Sequence, residues 1–68
     1  MKWTDGALTC WYGHDGQMFG QIILSHQGGG WRAYDYTAGA VEIGGPFRSI
    51  KEAKQCVEKH FAQVHVAG

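Results

Sequence analysis

The sequence predicts an α+β domain: three or four antiparallel strands in a meander, followed by one C-terminal helix packed on one face of the sheet. Three observations predict it. Clusters of glycine punctuate the first two thirds of the chain, the segments between them are short and rich in β-branched and aromatic residues, and after Pro46 the apolar spacing changes from two residues to 3.6.

Eleven glycines stand against one proline, grouped as Gly13 with Gly16, Gly28 to Gly30, Gly39, and Gly44 with Gly45. They mark turns. The strands between them are expected at Ala7 to Tyr12, Met18 to Leu24, Trp31 to Tyr36 and Ala40 to Ile43, so that the sheet spans roughly residues 7 to 44. Lys2 to Thr4 is left open as a further edge strand. Gly28-Gly29-Gly30 lacks the lysine and the following helix start of a phosphate cradle, and reads as a hairpin connection with His26 exposed beside it.

Ser49 followed three residues later by Glu52 forms a capping box, which places the helix at about residues 50 to 63. Ile50, Ala53, Val57, Phe61 and Val64 fall on one stripe; Lys51, Glu52, Gln55, Glu58 and Lys59 occupy the rest of the cylinder. The helix is expected to fray near Gln63 to Val66, and Ala67-Gly68 to be disordered.

A lone amphipathic helix must lay its stripe on the sheet. Alternation along the strands sets Trp31, Ala33 and Asp35 toward it, with Ile22, Leu24, Leu8, Cys10, Val41 and Ile43. Ala33 anchors this choice, since a small residue in mid-strand leaves room for a helix. The other face then carries Trp11, Phe19, Gln21, Ile23, Arg32, Tyr34 and Tyr36, with Glu42 also outward. A solvated face should show Thr, Lys, Glu and Ser, so this aromatic face is read as an interaction surface.

The 68 residues make one small domain, spanning positions 1 to 68, whose core rarely supplies more than about 3 to 5 kcal/mol without a staple. Charge is balanced, six Lys plus Arg against six Asp plus Glu, so few cations are available for phosphates. Hydrophobic content of 44% with zero net charge excludes a disordered chain. Since no apolar run approaches the ~20 residues of a membrane span, no membrane association is expected. The opening Met1 to Gly6 lacks the basic and apolar stretches of a secretory signal, and the expected location is the cytoplasm.

Cys10 with His14 and Cys56 with His60 are each four apart, a spacing that would place the second pair one helical turn apart as two ligands of a zinc site. Plain burial of the thiols is the favoured alternative. A Cys10 to Cys56 disulfide would close a long loop but is disfavoured in a reducing compartment. No cysteine, histidine or carboxylate has a companion at a catalytic spacing. The expectation is a non-enzymatic protein without cofactors.

The stretches Gly30-Trp31-Arg32-Ala33-Tyr34, Val41-Glu42-Ile43-Gly44-Gly45-Pro46-Phe47 and Ser49-Ile50-Lys51-Glu52-Ala53-Lys54 form a pattern: a tryptophan-bearing strand, a strand ending Gly-x-Phe, and a capped helix start. Over Gly30 to Phe61 this resembles the DNA-binding domains of the AP2 and integrase arm-type families, and it is similar to small phage and prophage proteins of unassigned role. The resemblance implies a three-stranded antiparallel sheet with a helix on one side and an open face that enters the DNA major groove through arginines and tryptophans. Arg32 matches here, beside Tyr34 and Glu42.

The function expected is therefore a binding module that uses Trp11, Phe19, Ile23, Arg32, Tyr34 and Tyr36 for protein contact. The partner would be a second copy of the chain, as a homodimer, or an unidentified protein such as a host factor if the chain is a phage accessory protein. The alternative is nucleic-acid binding through stacking on the same aromatics.

Overall fold

The computed structural model describes residues 2–25, 29–37 and 39–66. It is an α+β fold: one antiparallel sheet with a C-terminal helix on one face. The elements are β1 (Lys2–Asp5), β2 (Thr9–His14), β3 (Gln17–Ser25), β4 (Gly30–Asp35), β5 (Val41–Phe47) and α1 (Ile50–Val66), and the strands lie in the sheet in chain order. Five strands form where three or four were expected. The fifth is Lys2–Asp5, which pairs with β2 in the register Lys2 with Gly13 through Asp5 with Cys10. Four polar-leaning residues carry little strand signal of their own, and distant contacts hold them. Trp3 Nε1 donates to Glu58 at 2.8 Å, Lys54 pairs with Asp5 at 2.9 Å, and the same ammonium lies 5.2 Å from the centre of the Trp3 ring.

The β2–β3 hairpin turns at Asp15 (φ 51°) and Gly16 (φ 77°), two positive-φ residues whose twist matches that of the flanking strands. Tyr12 pairs with Gly20 and Gly13 with Met18, which leaves Phe19 as an extra residue on β3. A second irregularity in β5 sets Ala33 opposite Gly44 and Tyr34 opposite Glu42, with Ile43 between. Gly28 and His26 lie outside the described residues, as do Ala67 and Gly68.

The core comprises Cys10, Ile22, Ala33, Ala53, Val57 and Phe61, with Trp3, Tyr12, Phe19, Trp31, Ile43, Phe47 and Cys56 packed around it. Ala53, Val57 and Phe61 are the expected helix stripe, and Lys51, Glu52, Gln55, Glu58 and Lys59 are exposed as expected. The helix comes close because three adjacent strands present small residues beneath it. A Cβ on Gly20 would lie 2.6 Å from Val57 and one on Gly44 2.8 Å from the Cys56 sulfur, while Ala33 between them is fully buried. Half of the expected capping box forms at the helix start, where the Glu52 amide donates to Ser49 Oγ at 3.2 Å, while the Glu52 carboxylate accepts from the Ser49 hydroxyl at 3.3 Å. The helix then runs to Val66, past the expected end near residue 63.

Three expected core residues are exposed. Leu8 (40%) sits in the β1–β2 turn, where strand alternation does not yet apply, although its carbonyl still accepts from Leu24. Val41 (54%) opens the edge strand β5, whereas Ile43, also expected inward, packs against the core. Ile50 (36%) opens the first helical turn, at the rim of the contact. The side chain of Val64 lies outside the described residues.

Candidate functional site

Two in-register rows build the face opposite the helix. Thr4, Trp11, Gln21, Tyr34 and Glu42 form one row across all five strands, and Thr9, Ile23 and Arg32 form the next. Trp11, Ile23, Arg32, Tyr34 and Tyr36 are all half-buried on this face. Tyr36 meets Trp11 edge to face at 5.7 Å, a favourable arrangement of ring quadrupoles. Arg32 pairs with Glu42 at 3.2 Å, so its guanidinium is already engaged by a carboxylate. At the hairpin end the face falls into an open groove of about 700 Å³ lined by Lys2, Thr4, Trp11, His14 and the exposed Met18, among others. Among the described residues no element lies over this face.

Phe19 does not belong to this surface. As the extra residue of the bulge it departs from the alternation of β3, and its ring packs edge-on against Phe61 at 6.3 Å on the helix side. Gln21 is the site residue whose importance sequence reasoning underrated. It lies in the middle of the central strand, 4% exposed, and its Oε1 has no hydrogen-bond partner among the described residues. The signal was present as a lone amide among the apolar residues of Phe19 to Leu24, but its burial depends on neighbours from β2 and β4.

The four cysteine and histidine positions are not brought together. Cys10, Ile22, Ala33 and Gly44 occupy one row, and Cys56 sits over Gly44, so Cys10 and Cys56 are separated by three strand spacings of ~4.8 Å each. A disulfide, which needs Cα atoms within about 7 Å, cannot join them, and both thiols are free. His14 is exposed at the far end of β2, 3.1 Å from Asp15. Among the described residues no group of three or more His, Cys, Asp or Glu side chains is placed to hold a metal. Burial pushes the Cys56 thiol up, and burial followed by the hydrogen bond to Asp5 does the same for Cys10, so neither is disposed to act as a nucleophile.

His60 instead bonds Asp35 at 2.8 Å, tying the helix to the end of β4. Asp35 also accepts from the hydroxyl and amide of Thr37. Burial is the largest single influence on its carboxyl and acts upward, but the Thr37 hydroxyl and amide together with His60 outweigh it and hold the group below its ordinary 3.8. A folded-state value below the unfolded one stabilises the fold above the unfolded value, and that contribution disappears as pH falls through the folded value. Thermal melts between about pH 5 and pH 2 should therefore show the melting temperature falling with pH. Asp35→Asn should lower the melting temperature at pH 7 and flatten this acid limb; an unchanged limb would show that the Asp35 carboxylate contributes nothing to it. Part of the limb should survive, because the hydrogen bond from Lys54, then that from the Cys10 thiol, also lowers Asp5.

Among the described residues no helix is long and apolar enough to cross a membrane. Comparison of the chain with protein-family models, with curated proteins and with solved structures finds no match.

Proposed function

We propose that the protein is a non-enzymatic binding module that uses its open sheet face for contact with another protein. The observation that carries this is the grouping of half-buried Trp11, Ile23, Tyr34 and Tyr36 on a face with no covering element among the described residues. Tyr, Trp and Arg are the residue types that concentrate binding energy at protein interfaces. The nucleic-acid alternative is the weaker reading. Arg32, its main cationic anchor, is paired with Glu42, and a phosphate would have to displace that carboxylate.

The test is photo-crosslinking with p-benzoylphenylalanine in place of Tyr34, and in place of Gln55 on the exposed side of the helix as the control. Position 34 should give a discrete protein adduct that is lost when Trp11→Glu is added, with the circular dichroism spectrum unchanged. Adducts formed equally from both positions, or from neither, would overturn the reading. Adducts to nucleic acid from position 34 would replace it with the alternative.

A further inference from the structure

We infer that the occupant of the open face is a second copy of this chain, packed sheet on sheet about a two-fold axis through β3, with the two Gln21 carboxamides hydrogen-bonded to each other. This rests on the protein-contact reading of the face and names its partner. Gln21 lies on the middle strand of five, at the middle of the five-residue row, so an axis through the centre of the face passes beside it. Its Oε1 is buried and, among the described residues, unpartnered. Buried acceptors left in that state are rare and costly, and covering the face with a purely apolar partner would make this one permanent.

Closed symmetry turns the defect into a recognition element. In a two-fold interface the residue nearest the axis meets its own copy. A carboxamide carries both an acceptor and donors, so each Gln21 NH2 can donate to the Oε1 of the other, and both are satisfied by one contact. A lysine or a carboxylate in this position would repel itself. The charged pair on the face follows the same logic, because Arg32 and Glu42 leave it locally neutral and a second copy meets no net repulsion. The chain as a whole has zero formal net charge. Access to the amide requires its in-register neighbours Trp11 and Tyr34 to turn aside, and both are half-buried rather than fully enclosed in the core.

The dimensions suffice. Five strands at ~4.8 Å and six or so residues at ~3.4 Å give a face of roughly 500 Å² in projection, and side-chain relief raises the total buried by two copies to about 1,200 Å², the low end of specific interfaces. The core of six fully or nearly fully buried hydrophobic residues has no disulfide to support it, so covering the face would also stabilise each copy.

The experiment is sedimentation velocity across about 1 μM to 1 mM, on the wild type and on Gln21→Glu. Alongside it, isotope-filtered NOE spectra are recorded on a mixture of labelled and unlabelled wild-type protein. The wild type should pass from monomer to dimer, and the mixed sample should show intermolecular contacts from the Gln21 side-chain amide protons to Trp11, Gln21 or Tyr34 of the other copy. Gln21→Glu should raise the dissociation constant at least about tenfold at pH 7, since two carboxylates would meet at the axis. The NOE measurement stands even if that variant does not fold. A wild type that stays monomeric at the highest concentration, a dimer whose contacts come from another surface, or a Gln21→Glu dimer as tight as the wild type would each overturn the inference. A monomer that still gives the Tyr34 adduct with a different protein overturns the second-copy assignment alone; a monomer with no adduct removes the open-face reading as well.

Discussion

Phe61→Ala is expected to leave the domain largely unfolded at 25 °C. The Phe61 ring is 4% exposed and touches three aromatic neighbours, with ring centres at 6.1 Å from Tyr12, 6.3 Å from Phe19 and 5.0 Å from His60. It also lies over Gly20, where a glycine has no side chain to move into the space left behind. Truncating a buried phenylalanine costs about 3 to 5 kcal/mol, and a core of this size rarely supplies more than that in total. Far-UV circular dichroism with a urea titration is the check. Phe61→Leu, which keeps most of the volume, should remain folded with a loss of ~1 kcal/mol. If the alanine variant melts like the wild type, the helix is not held by this residue.

The second large effect is expected at Gly13→Ala. A Cβ there would collide with the carbonyl oxygen of Gln17 and lie 3.1 Å from its carbon and 3.3 Å from the Cα of Met18. All three atoms belong to the backbone of the paired strand, so no rotamer change relieves the clash and the hairpin itself must open. Overpacking of this kind costs about 1 to 3 kcal/mol even where side chains can shift, and a main-chain obstacle places Gly13→Ala at the top of that range or beyond it. The damage should spread, because the bulge beside Gly13 sends Phe19 toward Phe61. Loss of the Phe19 to Phe61 NOE, together with a lower urea midpoint, is the expected result; an unchanged midpoint would mean that the hairpin register differs from the one described.

These two residues also show what the sequence discloses. The helix stripe of Ala53, Val57 and Phe61, the Ser49 cap, and the inward set of Cys10, Ile22 and Ala33 follow from local spacing, and each is found where the spacing puts it. Alternation carries such a reading only while the strand pairing is unbroken. At Phe19 one inserted residue inverts the face, and nothing in the local sequence distinguishes that residue from a regular strand position. The first strand escaped for a different reason. Its anchors, Trp3 to Glu58 and Asp5 to Lys54, span 55 and 49 positions, beyond the reach of any local pattern. For the candidate site, Trp11, Ile23, Arg32, Tyr34 and Tyr36 were legible as a shared face, while the unpartnered state of Gln21 emerged only once three strands were set side by side.

The strand order has a kinetic consequence. Each strand pairs with the one that precedes or follows it in the chain, so the sheet can zip hairpin by hairpin, with little loop-closure entropy at any step. The demanding closures are deferred to the return of the helix, and the longest of them, from Glu58 and Lys54 back to β1, join the first strand to the last element. Contacts of that kind, if they form after the main barrier, act mainly on the rate of opening. The clasp across Trp3, Asp5, Lys54 and Glu58 is then expected to act as a latch, slowing the departure of a helix whose arrival it does not hasten.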